Sequence, residues 1–168
     1  MRRTRHALLR AFSQLALSRP YEQIRVADIV EIADVGRSTF YEHFNGRDAI
    51  FVEALKGPLQ LLADTVREES DTGNLQHLMQ HYWDYRALAR NTFSGPMRSR
   101  VMSLLTEMIA TELPDTLPRA PLVARQIAEA HAGLIRAWVG GDLSASVAEI
   151  TTQIRAANFA LISATRTG

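Results

Sequence analysis

Residues 26–47, VADIVEIADVGRSTFYEHFNGR, constrain this chain more than any other stretch. Val26, Ile29, Val30 and Ala33 recur at i, i+3, i+4 and i+7, which lays one apolar stripe along an α-helix. Phe40 and Phe44 recur at i, i+4 and so share a face of a second helix. Between them stands Ala33-Asp34-Val35-Gly36, in which Gly36 frees the backbone and Val35 is an apolar plug in a polar loop. Two short helices joined by so tight a turn predict a helix-turn-helix, whose second helix fits a DNA major groove. Opposite its two Phe that helix carries Arg37, Ser38, Thr39, Tyr41 and His43, which can donate to phosphates and base edges. Arg37 and Ser38 stand at its N-terminal end, the part that meets bases, and arginine is the side chain best shaped for guanine O6 and N7.

The run ADVGRSTFYEHFNGRDAIF resembles the signature of the TetR family of one-component repressors, roughly A-G-V-S-x-x-T-[LF]-Y-x-H-F-x-[ST]-K-[DE]-x-[LIF]. The match falls on Ala33, Val35, Thr39, Phe40, Tyr41, His43, Phe44, Asp48 and Ile50, with Arg47 in place of Lys. Tyr21 and Val26-Ala27-Asp28-Ile29 resemble the family's preceding segment. The resemblance is specific over the first third of the chain and only architectural beyond it. It implies that Thr39, Tyr41, His43 and Arg47 hold phosphates, and that effector binding and dimerisation belong to the C-terminal helices. Two departures carry weight. Arg25 stands where the family has a capping Thr, so a cap is exchanged for a cation that can reach a phosphate. Asp34 replaces the turn glycine, and Asp tolerates left-handed geometry at some cost.

The rest of the 168 residues is read as helical, so the expected fold is all-α: a three-helix DNA-binding unit at 1–47 and a helical ligand-binding and dimerisation unit at 48–168. Leu8, Ala11, Phe12 and Leu15 mark a first helix over 4–18, whose N-terminal Arg3 and Thr4 are placed for phosphates. A fourth helix opens at Arg47-Asp48, with a kink or a plain break expected at Gly57-Pro58. Further helices are expected over 75–91, 97–112 and 122–139, where Gly140-Gly141 stops the last. Ser146 and Glu149 have capping-box spacing ahead of a final helix. The chain carries a formal charge of +1, so global charge does not announce nucleic acid, although Arg2, Arg3, Arg5 and Arg10 precede any acidic residue. With no cysteine there is neither a disulfide framework nor a thiolate metal site, and no run is long enough to span a bilayer. A cytoplasmic protein without a cofactor is expected.

Leu134, Trp138, Ile150, Ile154, Ala157 and Leu161 offer apolar surface on the last two helices, assigned to a homodimer interface. Their alternative is closure of the protomer's own core. Tyr82, Tyr85, Arg86, Phe93, Met97, Met108 and His131 cluster in the middle helices, and a pocket there for a small apolar or amphipathic effector follows from the resemblance alone. Residue by residue, ordinary core packing is the stronger reading. His77 and His81 share a helical face with Asp84 nearby, but two solvated histidines explain that spacing better than a metal. No Ser/His/Asp order, phosphate-cradling loop or paired carboxylates support catalysis. The partners implied are an operator duplex, a second copy and a small effector. The rival reading is a dimeric helical interaction module that answers to a protein partner, with weak or vestigial DNA binding.

Overall fold

The computed structural model describes residues 2–167, and these form nine α-helices, one 3-10 turn and no strand. The helices are α1 Arg2–Ser18, α2 Val26–Ala33, α3 Arg37–His43, α4 Arg47–Asp64, α5 Thr72–Asp84, α6 Arg86–Ser94, α7 Arg98–Glu112, α8 Ala120–Gly140 and α9 Val147–Thr167. They divide into two compact units, residues 1–56 and 57–168, with the boundary inside α4. None of the helices is long and apolar enough to cross a membrane.

In the first unit Leu8, Phe12 and Leu15 of α1 are buried together with Ile24, Ile29, Phe40, Phe44, Ile50 and Phe51. Phe51 meets Phe12 edge-on at 6.1 Å and Tyr21 at 4.8 Å between ring centroids, so aromatic rings fill the middle of this small core. Arg5 lies over the Phe44 ring and pairs with Glu53 at 2.8 Å. The Arg5 hydrogen bond, aided by Lys56, holds the Glu53 carboxyl below its usual range.

In the second unit α8 is the central element, packed against α6, α7 and α9. Val123, Ile127, Ile135, Trp138 and Val139 supply its apolar faces. Gly141 ends it in the left-handed region, at φ 90°, as the Gly140-Gly141 pair predicts. Ser146 and Glu149 form the expected capping box: the Ser146 N–H donates to Glu149 Oε2 at 2.7 Å and the Glu149 N–H to Ser146 Oγ at 3.2 Å.

Two expectations about helix boundaries change. α4 runs unbroken through Pro58, so the plain break at Gly57-Pro58 is not seen. The single helix expected over 75–91 is two, because Tyr85 leaves helical geometry at φ −115° and ψ 52°. α5 packs against α9 while α6 packs chiefly against α8, and serving two partners requires a change of direction. No glycine or proline marks that change; tertiary packing overrides local propensity.

Trp138, Ile150 and Ile154 are corrections to the expected dimer surface: each is 1–2% exposed in the protomer's own core. Trp138 stacks on Trp83 with centroids 5.0 Å apart, and its indole N–H donates to the Ala145 carbonyl at 2.8 Å. Of the six, only Ala157 is exposed, with Leu134 and Leu161 half-buried.

Candidate nucleic-acid interface

The α2–α3 pair is built as its sequence demands, with one exchange of roles. Asp34, not Gly36, takes the left-handed conformation at the turn (φ 52°, ψ 52°). Its N–H donates to the Glu31 carbonyl at 3.2 Å and the Val35 N–H to Val30 at 3.1 Å, which closes α2. Gly36 has ordinary extended geometry as the N-cap of α3, so its backbone freedom goes unused. The cap lost at Arg25 is partly restored from the other side: Asp28 Oδ2 accepts the Arg25 N–H at 3.0 Å. A guanidinium has no acceptor, so only this half of a capping box can exist.

On α3 the two Phe are 0% and 4% exposed, with ring centroids 5.8 Å apart, which anchors the helix from behind. Arg37, Ser38 and Tyr41 are exposed on the outside, Tyr41 by 52%, while Thr39 and His43 are half-buried. Tyr41 stands edge-on to Phe40 at 5.3 Å, a contact that fixes its ring direction. Arg25 is exposed. On α1, exposed Arg3 and half-buried Thr4 line a shallow groove with His6, Arg10 and Val35 of the turn. His6 is not among the contacts expected from sequence; its i, i+4 spacing to Arg10 on the polar side of α1 is the available signal.

Arg47 is a correction. Its Nη1 donates to the carbonyls of Tyr21, Glu22 and Ile24 at 3.3, 3.1 and 3.0 Å, and its guanidinium lies 4.3 Å over the Tyr21 ring. A half-buried cation shared among three carbonyls of the segment from Tyr21 to Ile24 serves the protein before it serves a phosphate. The Tyr21 hydroxyl donates to Asp48, and burial followed by that bond pushes its pKa up to about 12.

The residues assigned to an effector do not form one group. Tyr82, Phe93, Met97 and His131 are buried and Met108 is half-buried. Tyr85, 41% exposed, and Arg86, whose guanidinium lies 4.7 Å over Trp83, are corrections, because the bend at Tyr85 turns both outward. Among the described residues of this unit two buried side-chain polar atoms have no hydrogen-bond partner, the Tyr82 hydroxyl and His131 Nδ1. Burial lowers the His131 pKa to about 4, so the ring is neutral. His77 and His81 are exposed on α5, and no group of three or more potential metal ligands gathers among the described residues.

Residues 8–54 match the family model described as bacterial regulatory proteins, tetR family. No curated protein matches the chain. Among solved structures, a tetR-family transcriptional regulator from Streptomyces coelicolor is similar with TM-score 0.62 and 18% identity, over 99% of this chain and 83% of that one. The dihydroxyacetone kinase operon activator DhaS is similar with TM-score 0.58 and 19% identity, over 96% of this chain and 97% of its own. A TetR transcriptional regulator from Streptococcus agalactiae 2603V gives 0.60 and 18%, over 94% of each chain. At these identities the structures speak for the fold alone. The family model thus lies on the helix-turn-helix, so residues 8–54 are similar to the DNA-binding segment of the tetR family of bacterial regulatory proteins, and the all-α fold of these structures extends over nearly the whole length of the chain.

Proposed function

We propose that the chain is a homodimeric, cytoplasmic repressor that reads a near-palindromic operator and is released from it by a small effector. The observation that carries this reading is the outer face of α3, where Arg37, Ser38 and Tyr41 stand exposed on a helix whose two Phe are buried. Arg37 reads a guanine and the neighbouring hydroxyls fix the register on phosphates. Arg3, Thr4, His6 and Arg10 add phosphate contacts from α1. One such unit neutralises few phosphates and binds weakly at physiological salt, so two linked copies are needed. Their recognition helices then lie about 34–36 Å apart, or a multiple of that spacing.

In functional terms residues 1–47 form the DNA-binding domain and 48–168 the sensor and dimerisation domain. Leu134, Ala157 and Leu161, which the protomer core leaves at least partly open, mark the dimer face on α8 and α9. An effector acts by preferring the state that does not bind DNA, by several kcal/mol if release is to be complete. DhaS is by name an operon activator, so the fold also serves activation. Transcript levels of the adjoining genes in a deletion strain decide the sign here: a rise supports repression and a fall supports activation.

A further inference from the structure

A cavity of about 650 Å³ opens in the second unit between the segment after α4, the start of α5, the end of α7 and one flank of α9. Its volume is that of a site for a drug-sized molecule. None of the seven residues assigned to an effector from sequence lines it. Val66, Pro114, Ala156, Phe159 and Ile162 give it apolar walls, and Phe159 is 65% exposed there. Helical spacing separates this flank from the dimer face: residues 152, 156, 159 and 166 follow one stripe of α9, whereas Ala157 and Leu161 follow another.

The charged lining is three Arg and two Glu. Arg67 and Glu112 largely cancel, because Arg67 pairs with Glu112 at 3.2 Å and with Asp64 at 3.1 Å. Arg155 and Arg166 remain, set against Glu68 at the exposed rim. Among the described residues Arg155 donates to uncharged acceptors: the carbonyls of Glu68 and Ser70, at 3.2 and 3.3 Å, and the Thr72 hydroxyl. Those bonds use three of its five N–H groups, and no carboxylate of the described residues pairs with it. Arg155 and Arg166 stand eleven residues apart on α9, about 16 Å along its axis, so the cavity has an apolar middle at Phe159 and Ile162 with a cation toward each end.

The floor of the cavity joins a buried polar chain. Asn158 Oδ1 can only accept, so His131 Nε2, 3.0 Å away, carries the proton. Asn158 Nδ2 donates to Thr65 Oγ1 at 2.8 Å, and Thr65 Oγ1 donates to the Leu62 carbonyl at 2.6 Å, in the last turn of α4. Thr65 lines the cavity and is 5% exposed. An occupant thus lies against the bond that ties α9 to the end of α4.

We infer that this cavity is the effector site, and that it takes an amphipathic carboxylate: an anionic head on Arg166 and an unbranched apolar tail along Ile162 and Phe159. This rests on the proposed release from DNA by a small effector, and it replaces the middle-helix residues as the place where that effector sits.

Decanoate and decan-1-ol, which share a tail and differ in charge, are titrated into the isotopically labelled full-length protein while amide resonances are followed. Decanoate is expected to bind saturably and shift Thr65, Ala156, Asn158 and Ile162, and decan-1-ol to bind at least about fivefold more weakly. Arg166→Gln, at an exposed side chain, weakens decanoate about fivefold, and Phe159→Ser about tenfold, with unfolding midpoints unchanged. No saturable shift, equal binding of the alcohol, or shifts centred on Tyr82 and Met97 would overturn the site. Operator binding is measured in the same titration. Shifts in the cavity with unchanged operator affinity uphold the site and count against release by an effector, so the two failures are told apart.

Discussion

His131 Nε2 lies 3.0 Å from Asn158 Oδ1 in the buried interior of the second unit, and that contact fixes a neutral imidazole with its proton on Nε2. Burial lowers its pKa from 6.5 to about 4, so the unfolded chain binds a proton that the folded chain refuses. The stability this contributes is fully present above pH 6.5 and is lost as pH falls toward 4, by about 3 kcal/mol in all. Denaturant unfolding between pH 7 and 4 measures it. His131→Gln, which keeps a donor for Asn158, is expected to flatten that part of the profile; an unchanged slope would mean that His131 is not the titrating group.

Arg47 holds the carbonyls of Tyr21, Glu22 and Ile24. Arg47→Gln is therefore expected to destabilise the protein by about 1–2 kcal/mol, allowing for its partial exposure. Arg37→Ala, at an exposed position, should stay within about 0.5 kcal/mol of the parent. Paired urea titrations of the two variants separate a scaffolding arginine from a reading one.

Asp34 occupies the left-handed region at φ 52°. Asp34→Gly removes that strain and is expected to gain about 0.5–1 kcal/mol. Removing a carboxylate beside α3 should also tighten DNA binding in low salt. A loss of stability would show that the Asp side chain supports the turn in a way its backbone geometry does not reveal.

Gly95 is needed for close approach. A Cβ there would stand 2.4 Å from the Asn91 carbonyl oxygen, which already accepts the Gly95 N–H at 2.9 Å. Backbone cannot move aside as a side-chain tip can, so Gly95→Ala is expected to cost about 1–3 kcal/mol, read as a lowered unfolding midpoint.

The helix-turn-helix was legible because its signals are local: two stripes at helical spacing, a turn between them and two rings on one face. Helix ends with chemical markers, such as Gly141 and the Ser146–Glu149 box, were legible for the same reason. The bend at Tyr85 was not, since it arises from packing against different neighbours and leaves no glycine or proline behind. Arg47 read as a phosphate ligand because a carbonyl fork 23 to 26 residues away leaves no trace in its own segment. Trp138, Ile150 and Ile154 show the limit of periodicity: an apolar stripe says that a face is covered, not whether the same chain or a second copy covers it.

The most direct test of the account is fluorescence anisotropy of the purified protein on DNA from upstream of its own gene, against a scrambled duplex, across a range of salt. The account predicts binding to one near-palindromic site, with Arg37→Ala abolishing the preference for it and Tyr41→Ala weakening both duplexes alike. Arg37→Ala and Tyr41→Ala variants that stay folded and bind that site as tightly as the parent would contradict it.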